Sequence, residues 1–410
     1  MSANAAAQAG AESRPGSGGH VRHALGLHMH QPPGNLRLLI ESNEWEAMQI
    51  ARCYERAARY ALRFSDVARL HVGFSGILIE QMQDPGIVDR YRRFVDFPAV
   101  LASYREAGNI EPIGMGYYHP IFPLIPREDW EDQLRAGRQV IAEVFGREPR
   151  GFWPPEMAFD MEMVPAVAAA GYEYIVVDGV HVRTADGGEV ADPCRPYRVR
   201  AGGAEITVVP RDRDVSNAQE SGMDAVWFDG EVTRRVERRA GEDSLVTTWS
   251  DGENGGWFRQ TAEEAGFFGH FFAPFMERVR AGTTSIRPAL ISEYLRTHPP
   301  ETDARVQTGA WNVANTSGED FSQWAGSPAQ RGAIEELFRL SGRYWRLARS
   351  EVASSARSDL DDARRLLLEG ETSCYLFWGD AWVPQLYQRT RRAGELLDRV
   401  DRAHAGRRQR

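Results

Sequence analysis

Lysine is missing altogether: each of the 49 basic residues in this 410-residue chain is an arginine. A substitution that uniform reflects genomic base composition rather than function. Cysteine is scarce too. Cys53, Cys194 and Cys374 are far apart and odd in number, which excludes a C-x-x-C metal or redox pair and a disulfide framework. A reducing cytoplasm is the expected location. No apolar run approaches the ~20 residues of a membrane-spanning helix, so no membrane partner is expected. Positive charge is not in excess either. With 58 acidic residues and a net charge of −9, the field of the chain repels phosphate backbones, and nucleic acid is not an expected partner. Residues 1–20 are rich in Ala, Gly and Ser but lack the basic start and apolar core of a secretory signal, and they read as a disordered tail.

What remains is a globular composition, 42 % hydrophobic and 26 % charged, which excludes a wholly disordered or fibrous chain. Short apolar runs, the candidate strands, fall at Ala24–His28, Leu70–Phe74, Ile110–Met115, Gly151–Trp153, Tyr174–Val177, Ile206–Pro210 and Leu245–Trp249. Stretches such as Trp45–Leu62 and Trp130–Phe145 separate them, with apolar residues at helical spacing. That alternation predicts an α/β fold with a parallel sheet, and about seven units suggest a closed or nearly closed barrel over residues 21–286. From 287 to 410 the pattern becomes helical, with amphipathic segments at Ala333–Trp345, Leu360–Leu368 and Leu386–Ala403 that are expected to pack on the barrel.

Residues able to do chemistry gather just after the expected strands, where a parallel β/α arrangement brings distant positions to one rim. They are His28 and His30 before Gln31-Pro32, Glu111 after Gly108-Asn109-Ile110, His119, Glu156 after Trp153-Pro154-Pro155, and Asp251-Gly252-Glu253 between Trp249 and Trp257. A last cluster runs from Cys374 to Trp382 and includes Trp378 and Asp380. Carboxylates beside aromatic rings suit sugars: the ring C–H face lies on an aromatic side chain, while the hydroxyls need carboxylates, amides and imidazoles. Glycosidic bond cleavage needs two carboxyl groups flanking the anomeric carbon.

Taken in order, these motifs resemble glycoside hydrolase family 57, the α-amylase, amylopullulanase and 4-α-glucanotransferase group. His30-Gln31-Pro32, Gly108–Glu111, Trp153–Glu156, Asp251–Glu253 and Tyr375–Trp382 stand where that family has its five motifs. The resemblance implies an incomplete (β/α)7 barrel with a C-terminal helical region. It also implies a retaining enzyme acting on α-1,4-linked glucans, or a 4-α-glucanotransferase using the same residues. By implication Glu156 is the nucleophile and Asp251 the acid/base, and His28, His30, Glu111, Trp153, Trp257, Trp378 and Asp380 bind substrate. The expected partner is an α-glucan or maltooligosaccharide, and no metal or cofactor is expected; the residues specify no oligomeric state.

To act first as an acid, Asp251 is expected to have a raised pKa, through burial beside Trp249 and Trp257 and proximity to Glu156. Trp311, Trp324 and Trp382 are either acceptor-site or core residues. Branching activity ranks lower, because the chain is shorter than branching enzymes carrying an added helical domain. Two rival readings use the same residues. One is a metal-dependent deacetylase with His28, His30 and His119 and Asp178 or Asp212 as ligands. The other is a glucan-binding protein without turnover.

Overall fold

The computed structural model describes residues 20–239, 241–311, 321–350 and 354–408. Apart from His20, the expected N-terminal tail lies outside the described residues. Seven strands are mutually parallel: β1 (Val21–Met29), β2 (Leu70–Phe74), β3 (Ile110–Gly114), β4 (Gly151–Phe152), β5 (Tyr174–Asp178), β6 (Ala204–Arg211) and β7 (Ser244–Asp251). Their order is β7-β1-β2-β3-β4-β5-β6. β2, β3 and β5 are buried along their whole length. That is why they read as short apolar runs, broken only by His71 in β2 and Glu111 in β3, rather than as alternating ones. Helices such as Glu44–Arg63 and Arg127–Phe145 fill the crossovers and bury one face.

The two outer members of this series, β6 and β7, share no ladder, but side chains and one loop bridge them. The Asp212 N–H donates to the Thr247 carbonyl at 2.8 Å, and Arg211 Nε donates to the Trp249 carbonyl at 2.8 Å. Trp249 itself points into the sheet interior opposite Gly26, where a β-carbon would fall 2.0 Å from the indole ring. Only glycine leaves room there.

Four further strands were not predicted. Tyr197–Ala201 runs antiparallel to β6, Ile286–Pro288 runs parallel to the start of β1, and Val182–Thr184 pairs antiparallel with Ala304–Val306. They are short and half-polar, so their strand character comes from a partner rather than from an apolar run. The sheet-forming part of the chain thus continues past residue 286.

Helices Pro328–Ala348, Arg357–Gly370 and Val383–Arg408 pack on one another. Ser327 and Gln330 form a reciprocal capping box at the start of the first. Leu337, Leu367 and Leu397 from these helices share one apolar cluster with Phe122, Phe152 and Val164. A buried polar knot adds to it: Asp129 accepts from Ser341, Trp345 and Arg364 at 2.6–2.7 Å. Among the described residues no helix is long and apolar enough to cross a membrane.

Candidate functional site

The parallel ladder between β1 and β7 sets His28 directly beside Asp251 at the carboxyl ends of both strands. Their side chains meet, with His28 Nε2 3.0 Å from Asp251 Oδ1. Asn254 donates to the other carboxylate oxygen at 3.1 Å. Glu156 arrives from the carboxyl end of β4 on a tight turn in which both Glu156 (φ 58°) and Met157 (φ 49°) take the left-handed conformation. For non-glycine residues this costs about 1–2 kcal/mol each, so the surroundings must hold it. Trp311 does so at both ends of the residue: its backbone N–H donates to the Glu156 carbonyl at 2.9 Å, and its indole Nε1–H donates to Oε2 at 2.8 Å.

Glu156, Asp251, His28 and His30 open onto one cleft of about 530 Å³, with Trp311, Phe377, Trp378 and Trp382 among its walls. The rings behind it form a stack. Trp153 lies 4.1 Å from His28, centroid to centroid, and His119 lies 3.7 Å from His30 at an angle of 6°. His30 Nδ1 meets Ser75 Oγ at 2.8 Å, a hydroxyl that also caps the Gly76–Gln83 helix. Its Nε2 lies 3.0 Å from Cys374 Sγ. His119 Nδ1 meets Ser373 Oγ at 2.8 Å, which ties the stack to the C-terminal region. Burial keeps both His30 and His119 well below the ordinary histidine pKa, aided by the neighbouring imidazoles, so both are neutral.

The two carboxyl groups differ. Burial, and then the charge of Asp251, push Glu156 up to about 7, outweighing His28 and the Trp311 indole. Burial also pushes Asp251 up, but the His28 hydrogen bond and charge, Asn254 and Arg211 outweigh it, and its pKa falls below the usual carboxylate value. The expectation of a raised Asp251 pKa is therefore corrected. Trp257 does not enclose the Asp251 carboxylate as expected, while His28 bonds it and 31 % of its side-chain surface stays accessible. Two residues on, Glu253 is fully buried, accepts the His30 backbone N–H at 2.5 Å, and is held well above the usual range by burial and by Asp251.

Of the residues predicted to bind sugar, His28, His30 and Trp378 line the cleft, and Trp153 supports it from behind His28. Three others do not. Glu111 stands second in β3, in register with His71 of β2 and through it with Gly26 of β1, two positions before His28 and so below the cleft. There it accepts from the Tyr174 hydroxyl at 2.8 Å and from the Ser292 hydroxyl and N–H at 2.9 and 3.2 Å, with His71 3.6 Å away. Trp257 packs its ring edge-on against His270 at 5.6 Å. Asp380 is exposed and accepts from Ser327 Oγ beside the helix cap.

The sequence reading missed Cys374 as a wall of the cleft, though it lies inside the cluster singled out, and left Trp311 undecided. Trp324 belongs to the core. The deacetylase ligand set does not assemble. His28 Nε2 meets Asp251, the two His30 nitrogens meet Ser75 and Cys374, and His119 Nδ1 meets Ser373, while Asp178 bonds Arg213 at 2.8 Å and Asp212 faces Arg235 at 3.2 Å. Among the described residues no three His, Cys, Asp or Glu side chains are grouped to hold a metal ion.

The molecule is thus a mainly parallel α/β protein whose strand carboxyl ends carry two carboxyl groups and a histidine stack on an aromatic-walled cleft. Residues 24–305 match glycosyl hydrolase family 57, and the chain belongs to that family. Alpha-amylase 1 of Dictyoglomus thermophilum is 24 % identical over 327 residues, 77 % of this chain and 42 % of that protein. The 4-alpha-glucanotransferase of Thermococcus kodakarensis is 31 % identical over 197 residues, 47 % of this chain and 27 % of that one. The chain therefore spans less than half the length of either relative. The crystal structure of the branching enzyme of Pyrococcus horikoshii superposes with a TM-score of 0.70 at 19 % identity, covering 92 % of this chain and 88 % of that one.

Proposed function

We propose that this protein is a retaining glycosidase acting on α-1,4-linked glucans, with Glu156 as nucleophile and Asp251 as acid and base. The reading rests on one observation: carboxyl groups from the ends of β4 and β7 reach the same aromatic-walled cleft. Family membership and the amylase and glucanotransferase relatives support an α-glucan substrate. The seven parallel strands support an incomplete (β/α)7 barrel as the catalytic unit, extended to about residue 306 by the added strands, with the C-terminal helices packed on it.

In the first step Glu156 attacks the anomeric carbon while the glycosidic C–O bond breaks and Asp251 gives its proton to the leaving oxygen. In the second, Asp251 takes a proton from water as the water oxygen displaces Glu156, and the α configuration is retained. Two interacting carboxyl groups share one proton across the neutral range, and in the free cleft it rests on Glu156. Sugar hydroxyls donating to Glu156 favour its ionised form, and the resulting charge favours the proton on Asp251. His28, held by the Trp153 stack, orients the Asp251 carboxylate throughout.

A glucanotransferase reading is favoured by Phe377, Trp378 and Trp382 on the cleft wall, since they give an acceptor sugar apolar faces to lie against. Incubation with maltoheptaose tests both. A rise in reducing ends signals hydrolysis, and redistribution of chain lengths without a rise signals transfer. No change in either measure overturns the catalytic proposal.

A further inference from the structure

A second cavity, of about 450 Å³, lies at the opposite end of the sheet, against the start of β1. Arg22, Arg69 and Arg287 line it, with Tyr294, Asp66 and Glu293. All three arginines are half-buried, and no carboxylate lies within 4.0 Å of any of their guanidinium groups among the described residues. Arg22 and Arg287 are also direct register partners on adjacent parallel strands. Like charges set opposite each other across a sheet repel and destabilise it. Two of the three are pre-oriented by backbone carbonyls: Arg69 Nη1 donates to Ala68 at 2.7 Å, and Arg287 Nη1 to Thr284 at 2.5 Å. Among the described residues, each keeps its Nε and Nη2 donors unclaimed. Of the two acids, Asp66 is already neutralised by a two-pronged bond to Arg280 at 2.7 and 2.9 Å, and Glu293 is exposed.

We propose that this cavity binds a tetrahedral oxyanion, a phosphate or the phosphate group of a small phosphorylated metabolite, between Arg22, Arg69 and Arg287. Such an anion supplies the missing countercharge and relieves the cross-strand repulsion, and guanidinium forks match phosphate oxygens in pairs. The site is independent of the glucan reading, because none of its residues lines the other cleft.

The test is thermal unfolding and calorimetric titration of the full chain with inorganic phosphate, against chloride at matched ionic strength. Glucose 1-phosphate in a parallel arm distinguishes a phosphorylated metabolite, which binds more tightly than inorganic phosphate, from the free ion, which binds equally well. Wild type is expected to gain thermal stability with phosphate, and Arg22→Gln/Arg287→Gln to bind at least tenfold more weakly. In chloride alone, single Arg287→Gln is expected to be at least as stable as wild type, since it removes the repulsion. No phosphate-specific response in wild type, or an equal response in the double variant, overturns the proposal. A marked loss of stability for Arg287→Gln in chloride does so too, since it assigns that arginine a purely structural role.

Discussion

Glu111 and Glu156 stand in the same parallel sheet, one inside it and one at its carboxyl edge, and their surroundings differ. Inside the sheet, Glu111 is enclosed by Tyr174, Ser292 and His71, and those donors outweigh burial and hold its pKa below the usual value. At the carboxyl end, Glu156 has one side-chain donor among the described residues, Trp311, with a strained backbone, an ionised neighbour, and a pKa of about 7. A carboxylate whose lone pairs are all occupied maintains structure. One left short of partners in a cleft is poised for chemistry, and its backbone strain and raised pKa are the cost.

Activity separates the two carboxyl groups most sharply. Glu156→Gln is expected to lower kcat on maltoheptaose by about 10⁴-fold or more with oligosaccharide binding retained, as for loss of a nucleophile. Near-wild-type turnover in that variant breaks the assignment. Asp251→Asn is expected to cost about 10²–10⁴-fold on natural glucans and much less on an activated aryl glucoside, whose leaving group needs no proton. Equal losses on both substrates refute the acid role.

Stability should show the reverse pattern. Glu111→Gln is expected to cost about 2–4 kcal/mol in denaturant unfolding, because it disturbs a buried hydrogen-bonded carboxylate, while kcat per folded molecule stays unchanged. Lost activity without lost stability would return Glu111 to the substrate site. The pH dependences should also oppose each other. Glu156, raised from 4.5 to about 7, contributes stability that is fully present below pH 4.5 and lost as pH rises through 7. Glu156→Gln should therefore gain on wild type between pH 4.5 and 7, by about 3 kcal/mol at the plateau. The lowered pKa of Glu111 contributes stability that is present above 4.5 and lost as pH falls. The smallest effect expected is for Trp378→Ala, 56 % exposed at the cleft: a rise of about 3–10-fold in KM with kcat little changed.

Much of this was legible beforehand. All seven parallel strands coincide with the apolar runs, since strands buried on both faces leave a continuous hydrophobic signature that needs no partner to be recognised. The strand at Tyr197–Ala201 and the pairing of Val182–Thr184 with Ala304–Val306 were not legible, because half-exposed segments become strands only when another segment offers its backbone. Glu111 was misplaced for a related reason. Its motif says that it belongs to β3 but not which end of the strand it occupies.

From its residues alone the chain specifies its family and where its seven parallel strands fall along the sequence, because these follow from motif order and local pattern. Only the folded molecule decides which carboxyl holds the proton, which tryptophans face the cleft and which arginines face one another. Those properties depend on burial and on neighbours hundreds of residues away, such as Trp311 at Glu156 and Arg287 at Arg22. They arise when distant segments exclude water together, and no local stretch of sequence carries that information.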